Sequence, residues 1–176
     1  METWKQIDGY DYYQVSNLGN VWSCKRGHNL KGRVVRGGYL SVSLTKNGKV
    51  IDHLVHRLVA IAFIPNPENK PQVDHIFNVV TDNRAEVLRW ATNQENQRNR
   101  PLSSRNTSGT KGVIWYNPTQ KWSAFITINM KRYSLGYFDS KENAIVARQT
   151  RANQAFGVFT NLCESMNLCE NSSLPP

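Results

Sequence analysis

Short runs in which apolar and polar residues alternate fill the chain between Trp4 and Leu44. Turns rich in Gly and Asn, such as residues 17–20 and 47–48, separate these runs. Alternation with a period of two is typical of half-buried strands, and Asn-Gly pairs favour tight turns between strands. The first half of the chain is therefore predicted to be β-rich.

Two segments further along have helical patterns. Apolar residues recur at near-helical spacing from His56 to Phe63, and Pro65 prevents the helix from continuing. Residues 92–95, Thr-Asn-Gln-Glu, form a capping box in which the Thr hydroxyl and the Glu carboxylate each accept from the other residue's amide. A helix is predicted from Asn93 to about Arg100, so the local order over 73–100 is strand, loop, strand, helix.

A second unit is predicted after residues 101–109, whose Pro, Ser, Asn and Gly content is typical of a linker. Its three predicted strands cover residues 111–116, 121–128 and 132–138. Trp122, Ala124 and Ile126 alternate onto one face of the middle strand. Residues 139–142 form another helix cap, and the helix should end at Gly157. The predicted fold class is α+β, ending in a three-stranded antiparallel sheet packed on one helix.

Charge narrows the choice of partner. The chain has 22 Lys and Arg against 13 Asp and Glu, a net charge of +9, and the excess of basic residues extends over both halves. Such a balance favours a polyanion such as nucleic acid. Residues 163–176 contain two acidic side chains and end in Ser-Ser-Leu-Pro-Pro, which predicts a disordered tail.

Other classes of protein are not indicated. No apolar run is long enough for a signal peptide or a membrane span, so a soluble, intracellular protein without a membrane partner is expected. The three cysteines, Cys24, Cys163 and Cys169, lack the paired spacing of thiolate zinc sites. Neither a disulfide framework nor a structural zinc is expected.

Candidate chemistry lies at Asp74, His75 and Asn96. Hydrolysis of a phosphodiester needs a base that activates water and a cation that neutralises charge on the phosphate. These three side chains supply suitable groups. Asp74 and His75, however, would point to opposite faces of a regular strand, so a loop or distortion after His75 is needed to bring them together. From the residues alone, an Asp-His pair at the surface with no catalytic role remains the alternative.

The short sequence stretches around these residues resemble those of a known family. Val73-Asp74-His75-Ile76, residues 82–84, Leu88-Arg89-Trp90-Ala91-Thr92 and residues 95–99 resemble the ββα-metal motif of HNH nucleases, especially the phage homing-endonuclease branch. Residues 13–19 and 55–60 resemble the N-terminal module of that branch. The resemblance implies that Asp74 and Asn96 ligate one Mg²⁺ or Mn²⁺ and that His75 is the general base. It also implies cleavage of double-stranded DNA into 5′-phosphate and 3′-hydroxyl ends, in the homing of a mobile element.

Two departures from the family pattern keep an alternative open. Val87 stands where the family has the middle Asn of its motif, and the loop 77–79 lacks an expected glycine. Loss of such an orienting group commonly lowers activity or metal affinity about 10–100-fold. The alternative is a degenerate HNH protein that binds DNA without cutting it. An RNA-binding accessory protein is a weaker third reading, because no platform for stacking single-stranded bases is evident.

The second unit resembles the DNA-binding domain of the plant APETALA and ethylene-response-factor family. The resemblance rests on Lys111-Gly112-Val113, Lys121-Trp122, Leu135-Gly136 and Phe138-Asp139. It implies that the sheet enters the major groove. The residues expected to contact DNA are Lys111, Tyr116, Lys121 and Arg132, together with Arg98 and Arg100 from the polar helix.

The predicted organisation has five parts. They are an N-terminal module at 1–50, an HNH nuclease domain at 51–100, the linker at 101–109, the APETALA-like domain at 110–162 and the tail at 163–176. Two different DNA-binding modules in one chain make a monomer sufficient.

Overall fold

The computed structural model describes residues 1–157. The chain divides into two compact units, Met1–Asn96 and Gln97–Pro176. The predicted tail at 163–176, Cys163, Cys169 and the last residues of the predicted domain at 110–162 lie outside the described residues. The predicted domain limits remain predictions.

Antiparallel strands dominate the first unit, as the alternating pattern predicts. One sheet has four strands in chain order: β1 Trp4–Ile7, β2 Tyr10–Ser16, β3 Val21–Ser23 and β4 His28–Asn29. A second sheet has three: β5 Arg33–Val34, β6 Leu40–Lys46 and β7 Lys49–Leu54. Val15 and Leu44, one from each sheet, are fully buried, so the apolar faces of both sheets line the core.

A helix and a short hairpin complete this unit. Helix α1 spans Val55–Phe63 and contributes the fully buried Val55 and Val59 to the same core. Strands β8 (Gln72–His75) and β9 (Leu88–Ala91) then pair antiparallel. The core includes Val73 and Leu88 from this hairpin, so the two modules that were predicted as separate over 1–100 share one core.

Helix α2, Asn93–Asn99, follows β9 and begins at the predicted capping box. The Glu95 amide donates to Thr92 Oγ1 at 3.2 Å, and the Thr92 amide donates to Glu95 Oε2 at 2.6 Å. Lys70 also pairs with Glu95, with Nζ 3.1 Å from Oε1. Burial raises the pKa of Glu95, but the Thr92 and Lys70 contacts outweigh it and hold that pKa below its ordinary value.

The second unit contains the predicted sheet and helix. Strands β10 (Val113–Tyr116), β11 (Lys121–Ile128) and β12 (Lys131–Phe138) form an antiparallel sheet in chain order. Helix α3, Lys141–Phe156, packs on this sheet, and Ser140 caps it by accepting from the Asn143 amide at 3.1 Å. Val113, Ala124 and Ala144 form the centre of this small core.

Part of the predicted linker at 101–109 is built into the second unit. Asn106 Oδ1 accepts from the Gly109 amide at 2.7 Å, and Asn106 Nδ2 donates to the Thr110 carbonyl at 3.0 Å. These bonds hold the end of the segment in an ordered turn before β10. Within residues 1–157, no helix has the length and apolar character needed to cross a membrane.

We predict that Thr92→Ala lowers the free energy of unfolding of the first unit by about 1 kcal/mol, because the helix loses its N-terminal cap. Denaturant unfolding measures the change. Thr81→Ala, a substitution of the same type in the loop between β8 and β9, is the control. Equal losses in the two variants would contradict a specific role for the cap.

Candidate active site

The hairpin places Asp74 in a buried ion pair. Asp74 lies opposite Arg89 in the register of β8 and β9, and Arg89 Nε donates to Asp74 Oδ2 at 2.8 Å. The Asp74 side chain is only 4 % exposed. A buried carboxylate needs such a partner, and the guanidinium also fixes its orientation.

Asn96 lies on the same side of the hairpin as Asp74. Its Nδ2 donates to Gln72 Oε1 at 3.3 Å, so Asn96 from α2 rests beside β8. Gln72 and Asp74 are two residues apart on β8 and therefore face the same way. The structure thus brings the two predicted ligands to one face, and the amide geometry leaves Asn96 Oδ1 as the oxygen available to coordinate.

His75 faces the other side of β8. It is the last residue of the strand and lies opposite Leu88, the register position next to the Asp74 and Arg89 pair. Its ring is 6 % exposed and lies 5.1 Å from the His56 ring and 6.0 Å from the Tyr39 ring, measured between centroids. Strand β8 is regular up to His75, so the Asp74 and His75 side chains point to opposite faces. The distortion that would bring these two side chains together does not occur within the strand.

The environment of His75 favours its neutral form. Burial lowers the pKa of His75, while the neighbouring Asn83 side chain and the charges of Asp74 and Asp82 act in the opposite direction. The net shift is downward. At neutral pH the imidazole is therefore uncharged and can accept a proton, which is what a general base requires.

A small cavity beside His75 is lined in part by Val87, which stands where the family has its middle Asn. The cavity has a volume of about 10 Å³ and is lined by His75, Phe77, Val79, Asp82 and Val87. This is close to the minimum for one water molecule. Although Val87 offers no side-chain amide, its backbone carbonyl accepts from the Ile76 amide at 2.9 Å and closes the base of the loop.

Asn83 was not assigned a role from the sequence. It was only part of the short stretch 82–84 that resembles the family motif. In the structure Asn83 is 4 % exposed and lies against His75. Its Nδ2 donates to the Thr81 carbonyl at 3.2 Å. Its Oδ1 is buried and makes no hydrogen bond of full geometry within residues 1–157, so this oxygen is an acceptor held beside the imidazole.

The oxygen donors suit a hard cation. Residues 1–157 contain no group of three or more His, Cys, Asp or Glu placed to hold a metal ion. A site built on Asp74 and Asn96 would supply one carboxylate and one amide oxygen, leaving the other positions to water and phosphate. Carboxylate and amide oxygens are ligands that Mg²⁺ and Mn²⁺ accept, so these residues fit the predicted ion.

The residues predicted to contact DNA in the second unit fall into two groups. Tyr116, Lys121 and Arg132 share the open face of the sheet, opposite the face that packs on α3. The Tyr116 ring contacts the Tyr137 ring at 5.4 Å between centroids with a tilt of 42°, and the Arg132 guanidinium lies 3.3 Å from the centre of the Phe125 ring. The open face therefore combines cations with exposed aromatic rings.

The other predicted residues lie off this face. Lys111 Nζ donates to the Arg98 carbonyl at 2.8 Å, and the Arg98 guanidinium lies 4.3 Å from the centre of the Phe156 ring. Arg100 is exposed. Lys111 and Arg98 thus contribute to packing inside the second unit, whereas Lys121, on the sheet, pairs with Asp139 at 3.1 Å.

Three comparisons show which known proteins this chain resembles. The NUMOD4 motif model matches residues 2–49. DNA endonuclease I-HmuI of Bacillus phage SP01 is 45 % identical over 101 residues, which cover 55 % of this chain and 58 % of that protein. Uncharacterized HNH endonuclease L247 of Acanthamoeba polyphaga mimivirus is 40 % identical over 121 residues, 66 % of this chain and 30 % of that protein.

A solved structure matches over most of the chain. It is described as DNA binding and cleavage by the HNH homing endonuclease I-HmuI, and it is 31 % identical with a TM-score of 0.52. The match covers 88 % of this chain and 83 % of that one. The similarity to these proteins defines the chain as one of the HNH class of nucleases. Within that class, the chain belongs to the HNH homing endonucleases, although it spans little more than half the length of the curated relative I-HmuI.

We predict that buried His56 makes the first unit sensitive to acid. His56 is 5 % exposed, and burial, His75 and Arg57 together lower its pKa to about 4. In the unfolded state the imidazole binds a proton at about pH 6.5. Above that pH the free energy of unfolding is not reduced by protonation of His56. Below it, this free energy falls towards pH 4 by up to about 1.4 kcal/mol per pH unit.

Thermal unfolding between pH 7.5 and 4.5 tests this prediction. The wild type should lose more stability over this range than His56→Phe, which has no group to protonate. His28→Phe, at an exposed position, should behave like the wild type. If the His56→Phe curve runs parallel to that of the wild type, His56 does not control the acid sensitivity.

Proposed function

We propose that the chain is a DNA endonuclease that hydrolyses phosphodiester bonds with one divalent cation, Mg²⁺ or Mn²⁺. One observation carries the proposal. In a member of the HNH homing endonucleases, Asp74 and Asn96 lie on one face of the hairpin, and neutral, buried His75 stands at the end of the same strand. A phosphate at this strand end would be reached by groups from both faces.

Each residue has a distinct role in the proposed reaction. His75 accepts a proton from the attacking water, because its environment keeps the imidazole neutral. Asp74, oriented by Arg89, and the amide oxygen of Asn96 would hold the cation. The bound cation would neutralise charge on the scissile phosphate and the departing 3′ oxygen. The products would carry 5′-phosphate and 3′-hydroxyl ends.

A protein that binds DNA without cutting is the second candidate, because Val87 lacks the amide of the family's middle Asn. Two contacts favour the active enzyme over this candidate. The Val87 carbonyl still closes the loop through the Ile76 amide. Asn83 supplies a side-chain amide at the imidazole. We therefore infer an enzyme that is weakened rather than inactive.

Nicking of supercoiled plasmid with Mg²⁺ or Mn²⁺ tests the nuclease. We expect the wild type to cut, with EDTA abolishing the reaction. His75→Ala should lower the rate about 10²–10⁴-fold because the general base is lost. Asp74→Ala and Asn96→Ala should each reduce cutting and raise the metal concentration needed.

Val87→Asn and His28→Ala complete the experiment. Val87→Asn should raise the rate by about 10–100-fold if an added amide orients the loop. His28→Ala removes an exposed imidazole and should leave the rate unchanged. If the wild type does not cut and Val87→Asn does, the chain is a nuclease that has lost its activity through the residue at position 87. If neither cuts and DNA is still bound, the DNA-binding candidate is correct.

We further propose that the second unit is an APETALA-like domain whose sheet binds the major groove of duplex DNA. Residues 97–157 contain ten Lys and Arg against two Asp and Glu. Tyr116, Lys121 and Arg132 lie together on the open face, which a major groove can accommodate. A second DNA-binding module on the same chain raises the effective concentration of the nuclease at a long site, which suits homing by a monomer.

Salt-dependent binding to duplex DNA tests the open face. Arg132→Ala should weaken binding and reduce the slope of log K against log salt by about one phosphate contact. Tyr116→Ala should weaken binding with little change in slope, since Tyr116 carries no charge. Arg151→Ala, which removes an exposed cation from α3, is the matched control.

Two results would contradict this proposal. A larger effect of Arg151→Ala than of Arg132→Ala would place DNA on the helix side of the unit. Stronger competition by duplex RNA than by duplex DNA would instead favour the RNA-binding alternative.

A further inference from the structure

A turn of the N-terminal module reaches the loop that carries Asn83. The Asn17 carbonyl accepts from the Ala85 amide at 2.8 Å, which ties the turn between β2 and β3 to the loop between β8 and β9. The turn is itself anchored, because the Thr3 amide donates to Asn17 Oδ1 at 2.7 Å and the Asn17 amide donates to the Thr3 carbonyl at 3.0 Å. Residues 17–20 are called the 17–20 turn below.

Gly19 makes the contact close. A Cβ atom added at Gly19 would lie 2.8 Å from Asn83 Cβ and 3.3 Å from the Asn83 carbonyl oxygen. Gly19 also has a backbone φ of +89°, which residues other than glycine rarely adopt. The backbone of the turn therefore abuts Asn83 directly, and any larger residue at position 19 must push it away.

Asn83 links the 17–20 turn to His75, the proposed general base. Its side chain is buried beside His75. Because Nδ2 donates to the Thr81 carbonyl, the buried Oδ1 is the atom left to accept from the imidazole. An acceptor held at one ring nitrogen of a histidine selects the tautomer and orientation that leave the other nitrogen to take a proton.

We propose that Asn83 is a positioning residue for His75 and that the 17–20 turn, through Gly19 and Asn17, holds Asn83 in place. The N-terminal module then contributes to the rate of cleavage and not only to DNA binding. This inference rests on the proposed nuclease function, in which His75 is the base. A merely structural Asn83 would stabilise the loop without affecting the imidazole.

The test combines steady-state nicking with ¹⁵N NMR of the His75 ring in metal-free protein at one fixed pH. Asn83→Leu, which keeps the shape and removes the acceptor, should lower kcat about 10–100-fold with KM for DNA within about twofold. It should also shift the two His75 ring nitrogens towards a mixture of tautomers. Asn83→Gln, which keeps both an amide donor and an acceptor oxygen without adding charge, should recover part of kcat and of the wild-type ring signals.

Gly19→Ala tests the turn, and Gly27→Ala is its matched control. Gly27 also has a positive φ, +67°, but a Cβ there would meet nothing within 4 Å, so it shows the effect of backbone strain alone. Gly19→Ala should reproduce the changes in kcat and in the His75 signals, whereas Gly27→Ala should leave both unchanged. Should Gly19→Ala fail to fold, the Asn83 variants decide the proposal.

The proposal is overturned if Asn83→Leu leaves the His75 signals and kcat as in the wild type, or if Gly27→Ala changes them as much as Gly19→Ala. Failure of the nuclease function is distinguishable from failure of the positioning role. If the wild type does not cut, the ring signals still show whether Asn83 and Gly19 orient His75.

Discussion

Pairing of two short strands, β8 with β9, places each group of the candidate active site. The register sets Asp74 opposite Arg89, and the guanidinium that reaches this buried carboxylate across the hairpin offsets the cost of burying its charge. A shift of one residue would exchange the two faces. Asp74 would then enter the apolar core, and His75 would turn towards α2.

The sheets of the N-terminal module hold this hairpin on its other side. Val73 and Leu88 lie in the same core as Val15 and Leu44, and the Trp90 indole donates to the Ile64 carbonyl at 2.9 Å. A hairpin of two four-residue strands cannot bury enough surface to be stable alone. The module and the hairpin are therefore one folding unit, which gives a physical reason why NUMOD4-like residues and the HNH motif occur together in this chain.

Features that depend on neighbours in sequence were predictable. The capping box of Thr92 and Glu95 needs only residues three apart, and the sheet of the second unit follows from alternation on Trp122, Ala124 and Ile126. Asp74, His75 and Asn96 were predicted through the resemblance to a family, and their roles stay predictions. The placement of Asp74 and His75 on opposite faces of β8 agrees with simple strand geometry.

Features that depend on distant pairs could not be predicted in this way. Nothing local indicates that Gly19 touches Asn83, because 64 positions separate them. Lys111 was expected to contact DNA from the family resemblance and Arg98 from its place on the polar helix, and both contacts stay predictions. In the structure, the charged groups of these residues contact a carbonyl and an aromatic ring within the unit. Charge alone does not show whether a long side chain faces solvent or covers a neighbouring surface.

The account depends most on a cation bound by Asp74 and Asn96 beside His75. Paramagnetic broadening of amide and side-chain NMR signals by substoichiometric Mn²⁺ measures this directly in the whole chain, with duplex DNA present. The account predicts that signals of residues 72–75 and 93–96 broaden first and that the Asp74→Ala, Asn96→Ala double variant loses the effect. Broadening that is confined to other acidic residues, while these signals stay sharp, would contradict it.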